Sequence, residues 1–316
     1  MAELITQKLS DNLGMQILNV DLADLSDEDF ESIRHQWQKD PLLLFRRQSL
    51  TENELLAFSR CFGALDEHTI KDFHDDANVE FQHPQLLFIS NLLFPDGRKV
   101  GGLSNSEVVW HTDLIYRSQP ASGSIFYGVE MPEDTGETSF CNMVRAYQTL
   151  PAGLKKRIEA LKARCKLFNT TPLSSLLKQD IDGGYQFEPK SETGAKAMDE
   201  RTPEVVHDLV LKNPATGERS LYLSPNHTTG IVGMDMDSAR ELFDTLLIHA
   251  LHTSNIYSHR WRNGDVVLWD NARLLHRREA FASHTPRLAK RTTVHMDPKY
   301  FAVAHGVLSD DVATAC

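Results

Sequence analysis

The chain has 316 residues, 41% of them apolar, and a formal net charge of −11. That is enough apolar material for one large core, while Lys and Arg are scattered rather than striped, which argues against a nucleic-acid groove. With no run of 18 apolar residues, no basic apolar-cored leader and no C-x-x-C pair among Cys61, Cys141, Cys165 and Cys316, a membrane span, a disulfide framework and a zinc ribbon are all set aside, and a cytoplasmic globular protein is expected.

Ser26 to Asp29 opens a helix that places Phe30, Ile33 and Trp37 on one face. The short apolar run PLLLFRRQ (Pro41–Gln48) reads as a buried strand. Thr51 and Glu54 have capping-box spacing, and Gly63 reads as the end of the helix they start. QLLFISNLL (Gln85–Leu93) is another strand, and VVWHTDLIY from Val108 is read as a third. GSIFYGVEMP and ETSFCNM are strands parted by the turn-rich EDTG (Glu133–Gly136), and a helical segment follows around Leu154–Lys162. Residues 170–204 are polar and irregular, a variable insert in an otherwise single domain spanning 1–316. LKNPATGERSLYL reads as a hairpin and DSARELFDTLLIHALH as a helix with Leu242, Leu246 and Leu247 inward. GDVVLWDN, RLLHRREAF and RLAKRTTVHM complete a strand-rich pattern without βαβ alternation. The expected fold is mostly β, a sandwich or jelly roll with helices outside.

On a strand, His111 and Asp113 would point to one face, about 7 Å apart along the backbone. An isolated H-x-D is more often structural than metal-binding, and two ligands hold a catalytic metal weakly. His276, beyond GDVVLWDNARLL, is the best third candidate. Two imidazoles and one carboxylate on one side of a metal leave positions open and suit Fe(II) that activates O2. Trp110 and Trp269 read as core, and His249 and His252, three apart on a helix, as structural.

WHTD, GETSF with Thr138, GDVVLWDNARLLHRR and PRLAKR together resemble the taurine dioxygenase and 2,4-dichlorophenoxyacetate dioxygenase family, over about Leu43 to Asp297. These are Fe(II)- and 2-oxoglutarate-dependent oxygenases. The resemblance implies a double-stranded β-helix (jelly roll, cupin-like), iron on His111, Asp113 and His276, and Thr138 with Arg287 on the distal carboxylate of 2-oxoglutarate. A guanidinium grips a carboxylate bidentately and a Thr hydroxyl adds one bond, so the residue types suit that role. Asp113 stands where related halogenases carry a small residue, so oxygen chemistry is implied, with succinate and CO2 as co-products.

Arg291 follows Arg287 by four residues, on the same face of an extended strand, and the matching family arginine can contact an acidic group of the substrate. FGALDEHTIK resembles the family's FG-x-L segment, and His68 and Lys71 fall where the taurine and phenoxyacetate enzymes, respectively, place substrate contacts. Tyr116 and Arg117 closely follow the H-x-D and are further candidates. A solvated acidic loop over 65–76 is the competing reading. The expected partner is a small carboxylate or sulfonate, with no nucleic acid and no membrane; homo-oligomerisation stays open. The expected reaction is hydroxylation. The alternatives are desaturation or oxidative cleavage of an amino-acid-derived or natural-product intermediate and, in another class, a jelly-roll protein that binds a metal or anion without turnover.

Overall fold

The two apolar runs PLLLF and DVVLWD form neighbouring strands, Leu42–Phe45 and Val266–Asp270, each buried throughout. Continuous burial follows from a sheet covered on both faces. In a computed structural model, the structure describes residues 3–67, 83–102, 105–167, 171–176, 196, 200 and 202–308. His68, Lys71 and most of 170–204 therefore lie outside the described residues.

Among the described residues, the larger sheet runs Thr6–Lys8, Met15–Ile17, Leu42–Phe45, Val266–Asp270, Gly123–Glu130, Leu288–Met296 and Gly63–Leu65, with Leu87–Ser90 also paired to Leu288–Met296. The smaller sheet runs Ile256–His259, Thr138–Asn142, Leu274–Arg278 and Val108–His111. Alternation along each strand divides the side chains between separate cores. Phe126, Val267 and Trp269 from the larger sheet meet Phe140 and Leu274 from the smaller, filling the space between the sheets. Ile125, Val266 and Leu268 turn outward against Ile33 and Trp37 of the Asp27–Lys39 helix and Leu55 of the Glu52–Arg60 helix. Cys141 and Leu275, on the outer face of the smaller sheet, pack in one core with Leu242, Phe243 and Leu246 of the Met236–Ala250 helix. This is the expected jelly roll with external helices.

Both predicted helix starts carry full capping boxes, at Ser26 with Asp29 and at Thr51 with Glu54. Three local readings are corrected. The second helix ends at Arg60, and Gly63 instead begins a strand. Its φ of 149° and the His295 carbonyl, 2.1 Å from where a Cβ would sit, reserve that position for glycine. The helix expected near Leu154–Lys162 covers Ala152–Ile158, because Lys162–Cys165 is recruited as a strand beside Val205–Asp208. The strand expected to run through VVWHTDLIY stops at His111. No helix among the described residues is long and apolar enough to cross a membrane.

One buried ion pair ties the first helix to the sheet. Arg273 Nε donates to Asp270 Oδ2 at 2.7 Å, while its Nη1 and Nη2 donate to the carbonyls of Gln38 and Trp37 at 2.9 and 2.6 Å. These carbonyls belong to the last helical turn, whose acceptors otherwise lack partners. Arg273→Ala is expected to lower unfolding free energy by about 3–5 kcal/mol, because Asp270 would be left as an unpaired buried carboxylate. Urea denaturation of the purified variant checks this, and a midpoint equal to wild type would refute it.

Candidate active site

Register brings the distant motifs together. Antiparallel pairing sets His276 opposite His111 and, on its other side, opposite Phe140, while Arg278 falls opposite Thr138. The two imidazole centroids lie 4.1 Å apart. Asp113 then arrives from the turn after the strand. Leu114 adopts φ 56°, in the left-handed region that side chains seldom occupy, and Arg117 N–H closes the turn on the Leu114 carbonyl at 2.9 Å. Thr112, between the two candidate ligands, is buried and donates its hydroxyl to the Asn271 carbonyl at 2.7 Å.

The Asp113 carboxylate oxygens lie 3.8 Å from His111 Nε2 and 3.8 Å from His276 Nε2. The candidate ligand atoms of all three residues fall within 4.8 Å of one another. His111 Nδ1 is 2.8 Å from the Val109 carbonyl, which can only accept, so that nitrogen carries the proton and Nε2 is left with a free lone pair. His276 is held by ring packing on Trp269, 4.9 Å away. Burial lowers the pKa of both imidazoles, and for His276 the neighbouring His111 lowers it further. Burial alone would raise the Asp113 pKa, but its neighbours, the Arg291 guanidinium foremost, outweigh it and hold the group below the ordinary carboxylate range. Neutral imidazoles beside an ionised carboxylate are the protonation states a divalent cation requires.

The same pocket is lined by Thr138, Arg278, Arg287 and Arg291. Arg287 is 1% exposed, yet no carboxylate among the described residues pairs with it. Its Nη1 donates to the Gly136 carbonyl at 2.9 Å, its Nε has no partner among the described residues, and the rings of Phe281 and Phe126 lie 5.5 and 6.0 Å from its Cζ. Gly136, at φ 67°, lets the guanidinium come close, since a Cβ there would sit 3.0 Å from Nη1. Burial, with Arg278 adding to it, pushes the Arg287 pKa down to about 9. A buried cation in this state is relieved by an anionic guest. Thr138 Oγ1 accepts the Trp261 indole N–H at 2.9 Å, which leaves the hydroxyl proton for another acceptor. The donor set, the partnerless Nε of Arg287 and the unused Thr138 proton all fit a metal with a dicarboxylate beside it.

The substrate candidates divide. Arg291 lines the pocket, with Nη1 bonded to Asp113 Oδ1 at 2.8 Å and Nε without a partner among the described residues. Tyr116 also lines it, its ring 5.0 Å from that of His227, and burial pushes its phenol up to about 12. Arg117 does not line the pocket; it grips Asp66 at 3.1 Å, and Asp66 also meets His295 Nε2 at 3.1 Å. Sequence reasoning missed Asn226, His227 and Trp261, which line the pocket, and Ser124 and Asn271, which stand behind its walls. None carries a local signal. Asn271 stands inside the quoted GDVVLWDN segment, but nothing in that segment marks it as more than a strand end.

Comparison with known proteins agrees with this chemistry. The taurine catabolism dioxygenase TauD, TfdA family matches residues 5–293. Pentalenolactone F synthase of Streptomyces avermitilis is 28% identical, over 93% of this chain and 95% of its own length. The alpha-ketoglutarate-dependent 2,4-dichlorophenoxyacetate dioxygenase of Cupriavidus pinatubonensis is 30% identical, over 87% and 92%. The crystal structure of AAD-2 in complex with Mn(II) and N-oxalylglycine superposes with a TM-score of 0.72 at 25% identity, covering 94% of this chain and 98% of that one. By sequence, by fold and by the chemistry its pocket offers, the chain belongs to the taurine catabolism dioxygenase TauD/TfdA family and is an oxidoreductase of the 2-oxoglutarate-dependent kind.

Proposed function

We propose that this chain, as one catalytic domain, hydroxylates a small organic anion, a carboxylate or sulfonate, using Fe(II), O2 and 2-oxoglutarate, with succinate and CO2 as co-products. The observation that carries the reading is a single pocket joining the His111–Asp113–His276 cluster to a buried arginine that has no carboxylate partner among the described residues. When bound, the iron supplies the activation of dioxygen, for which three protein ligands leave positions open. His111 and His276 offer neutral nitrogens, and Asp113 offers the negative charge. Arg287 and Thr138 hold the distal carboxylate of 2-oxoglutarate, which fixes its orientation. N-oxalylglycine, bound with Mn(II) in AAD-2, has the 2-oxoglutarate skeleton with NH in place of one CH2, which supports that assignment. Ile89, Leu114, Phe126 and Trp269 give the pocket apolar walls that exclude water.

Charge points to the substrate class. Among the described lining residues, Arg287 and Arg291 set two guanidinium groups against the one carboxylate of Asp113. A divalent metal and doubly charged 2-oxoglutarate offset one another, so the surplus stays positive and favours an anion. Arg291 supplies its spare N–H, and Tyr116, Asn226 and His227 supply the remaining polar wall. Burial, then the nearby His111, push His227 down to about 3, so it meets a substrate as a neutral imidazole. The 2,4-dichlorophenoxyacetate relative acts on a carboxylate of this kind.

The test has two stages. Anaerobic addition of Fe(II) and 2-oxoglutarate should produce a weak charge-transfer absorption in the visible. Aerobic incubation with a panel of carboxylates, sulfonates and amino acids should then give substrate-stimulated succinate and CO2, with a hydroxylated product. A protein that shows neither the band nor succinate release across the panel would overturn the reading; an alkene or cleaved product would replace hydroxylation by desaturation or oxidative cleavage.

A further inference from the structure

Behind the candidate metal ligands lies a chain of buried hydrogen bonds whose direction can be worked out. Trp269 Nε1 is 2.9 Å from Asn271 Oδ1, Asn271 Nδ2 is 3.0 Å from Ser124 Oγ, and Ser124 Oγ is 2.8 Å from Asp113 Oδ2. An indole N–H can only donate, so the atom of Asn271 facing it is the carbonyl oxygen. The amide nitrogen then faces Ser124 and must donate. Having accepted that bond, Ser124 has its single proton left for Asp113. Each member therefore fixes the orientation of the next, and the chain ends on the carboxylate.

Its members are placed by the larger sheet. Ser124 lies on the central Gly123–Glu130 strand, opposite Trp269 on one side and Thr293 on the other, and is fully buried. Asn271 is 1% exposed; its backbone N–H donates to the Ser122 carbonyl at 2.9 Å, and its carbonyl receives the Thr112 hydroxyl at 2.7 Å. The residue thus acts on the H-x-D turn three times: its carbonyl takes the Thr112 hydroxyl, its Oδ1 accepts the Asp113 backbone N–H at 3.5 Å, and its Nδ2 reaches the Asp113 carboxylate through Ser124. The Trp269 ring that starts the chain is also the one that packs on His276. One network touches both the carboxylate and the distant imidazole.

We infer that Ser124 and Asn271 are positioning residues that orient the Asp113 carboxylate for the metal, with the Trp269 indole setting the direction of the chain. This rests on the reading of His111, Asp113 and His276 as metal ligands. Outer partners of this kind change metal affinity by about 10–100-fold when removed. Ser124→Ala removes the donor to Oδ2. Asn271→Asp keeps size and still accepts from Trp269, but its carboxylate cannot donate to Ser124; the serine proton turns toward residue 271 and away from Asp113.

Metal-free full-length wild type, Ser124→Ala, Asn271→Asp and His276→Ala are titrated anaerobically with Fe(II) by calorimetry, and their melting temperatures are taken with and without metal. Ser124→Ala and Asn271→Asp should raise the Fe(II) Kd by about 10–100-fold and shrink the metal-induced rise in melting temperature. A merely structural role would lower both melting temperatures equally and leave the Kd at the wild-type value; that result in Ser124→Ala overturns the inference while wild-type binding, lost in His276→Ala, upholds the metal site. Wild type that binds no Fe(II) overturns both.

Discussion

Substrate-stimulated succinate release by His276→Ala and by Asp113→Ala should fall by more than about 100-fold, beyond the range that outer partners produce. Each variant removes one of three groups whose candidate ligand atoms lie within 4.8 Å of one another, and the two that remain hold a metal weakly. The variants differ in a useful way. Asp113→Ala also leaves Arg291 Nη1 and the Ser124 hydroxyl without the carboxylate they share, so it should cost folding stability as well as metal affinity. His276→Ala removes no hydrogen bond, because Nδ1 of that ring has no partner among the described residues. Its cost to the metal-free fold is the loss of packing on Trp269, Phe140 and His111. Metal content by elemental analysis, with turnover, checks the pair. Turnover equal to wild type in either variant would remove that residue from the site.

Arg287→Met should weaken 2-oxoglutarate binding by about 30-fold or more, from the roughly 2–5 kcal/mol lost when one partner of a buried charged hydrogen-bond pair is truncated. The same change should leave the melting temperature of the ligand-free protein unchanged or raise it. The reason is the burial of this guanidinium on a backbone carbonyl and two aromatic faces, with no carboxylate beside it among the described residues. Methionine fills similar apolar volume and carries no charge to desolvate, and replacing a buried charge with a well-packed hydrophobe is often stabilising. Opposite signs for binding and stability would mark Arg287 as kept for function at a cost to the fold. A variant that melts well below wild type without ligand, yet binds 2-oxoglutarate normally, would show that the arginine is structural.

Much was legible before the chain was seen folded, wherever the information is local. Ser26 and Thr51 cap their helices from within four residues. The unbroken apolar runs at Leu42–Phe45 and Val266–Asp270 reflect burial on both faces of a sheet. His111, Asp113, Thr138, His276 and Arg287 could be named because they sit in short motifs at recognisable offsets, and all five line one pocket. Arg117 shows where this stops. Its position immediately after the pocket-lining Tyr116 said nothing about Asp66, which takes its guanidinium.

By itself the sequence determined the helix starts, the buried strands, the jelly-roll class and the residue types able to hold a metal and a dicarboxylate. The helix starts and the buried strands follow from side-chain chemistry and short-range periodicity, whereas the jelly roll and the dicarboxylate residues follow from the resemblance to the dioxygenase family. Only the tertiary structure decided that the strand ends at His111, that Arg291 reaches Asp113, that Asn226 and His227 enter the wall, and that Trp269, Asn271 and Ser124 stand behind the carboxylate. Those contacts depend on strand register and on which turns face each other, and a shift of one residue would send every side chain to the opposite face. Register is set by the packing of the whole sheet, so no short stretch of the chain contains it.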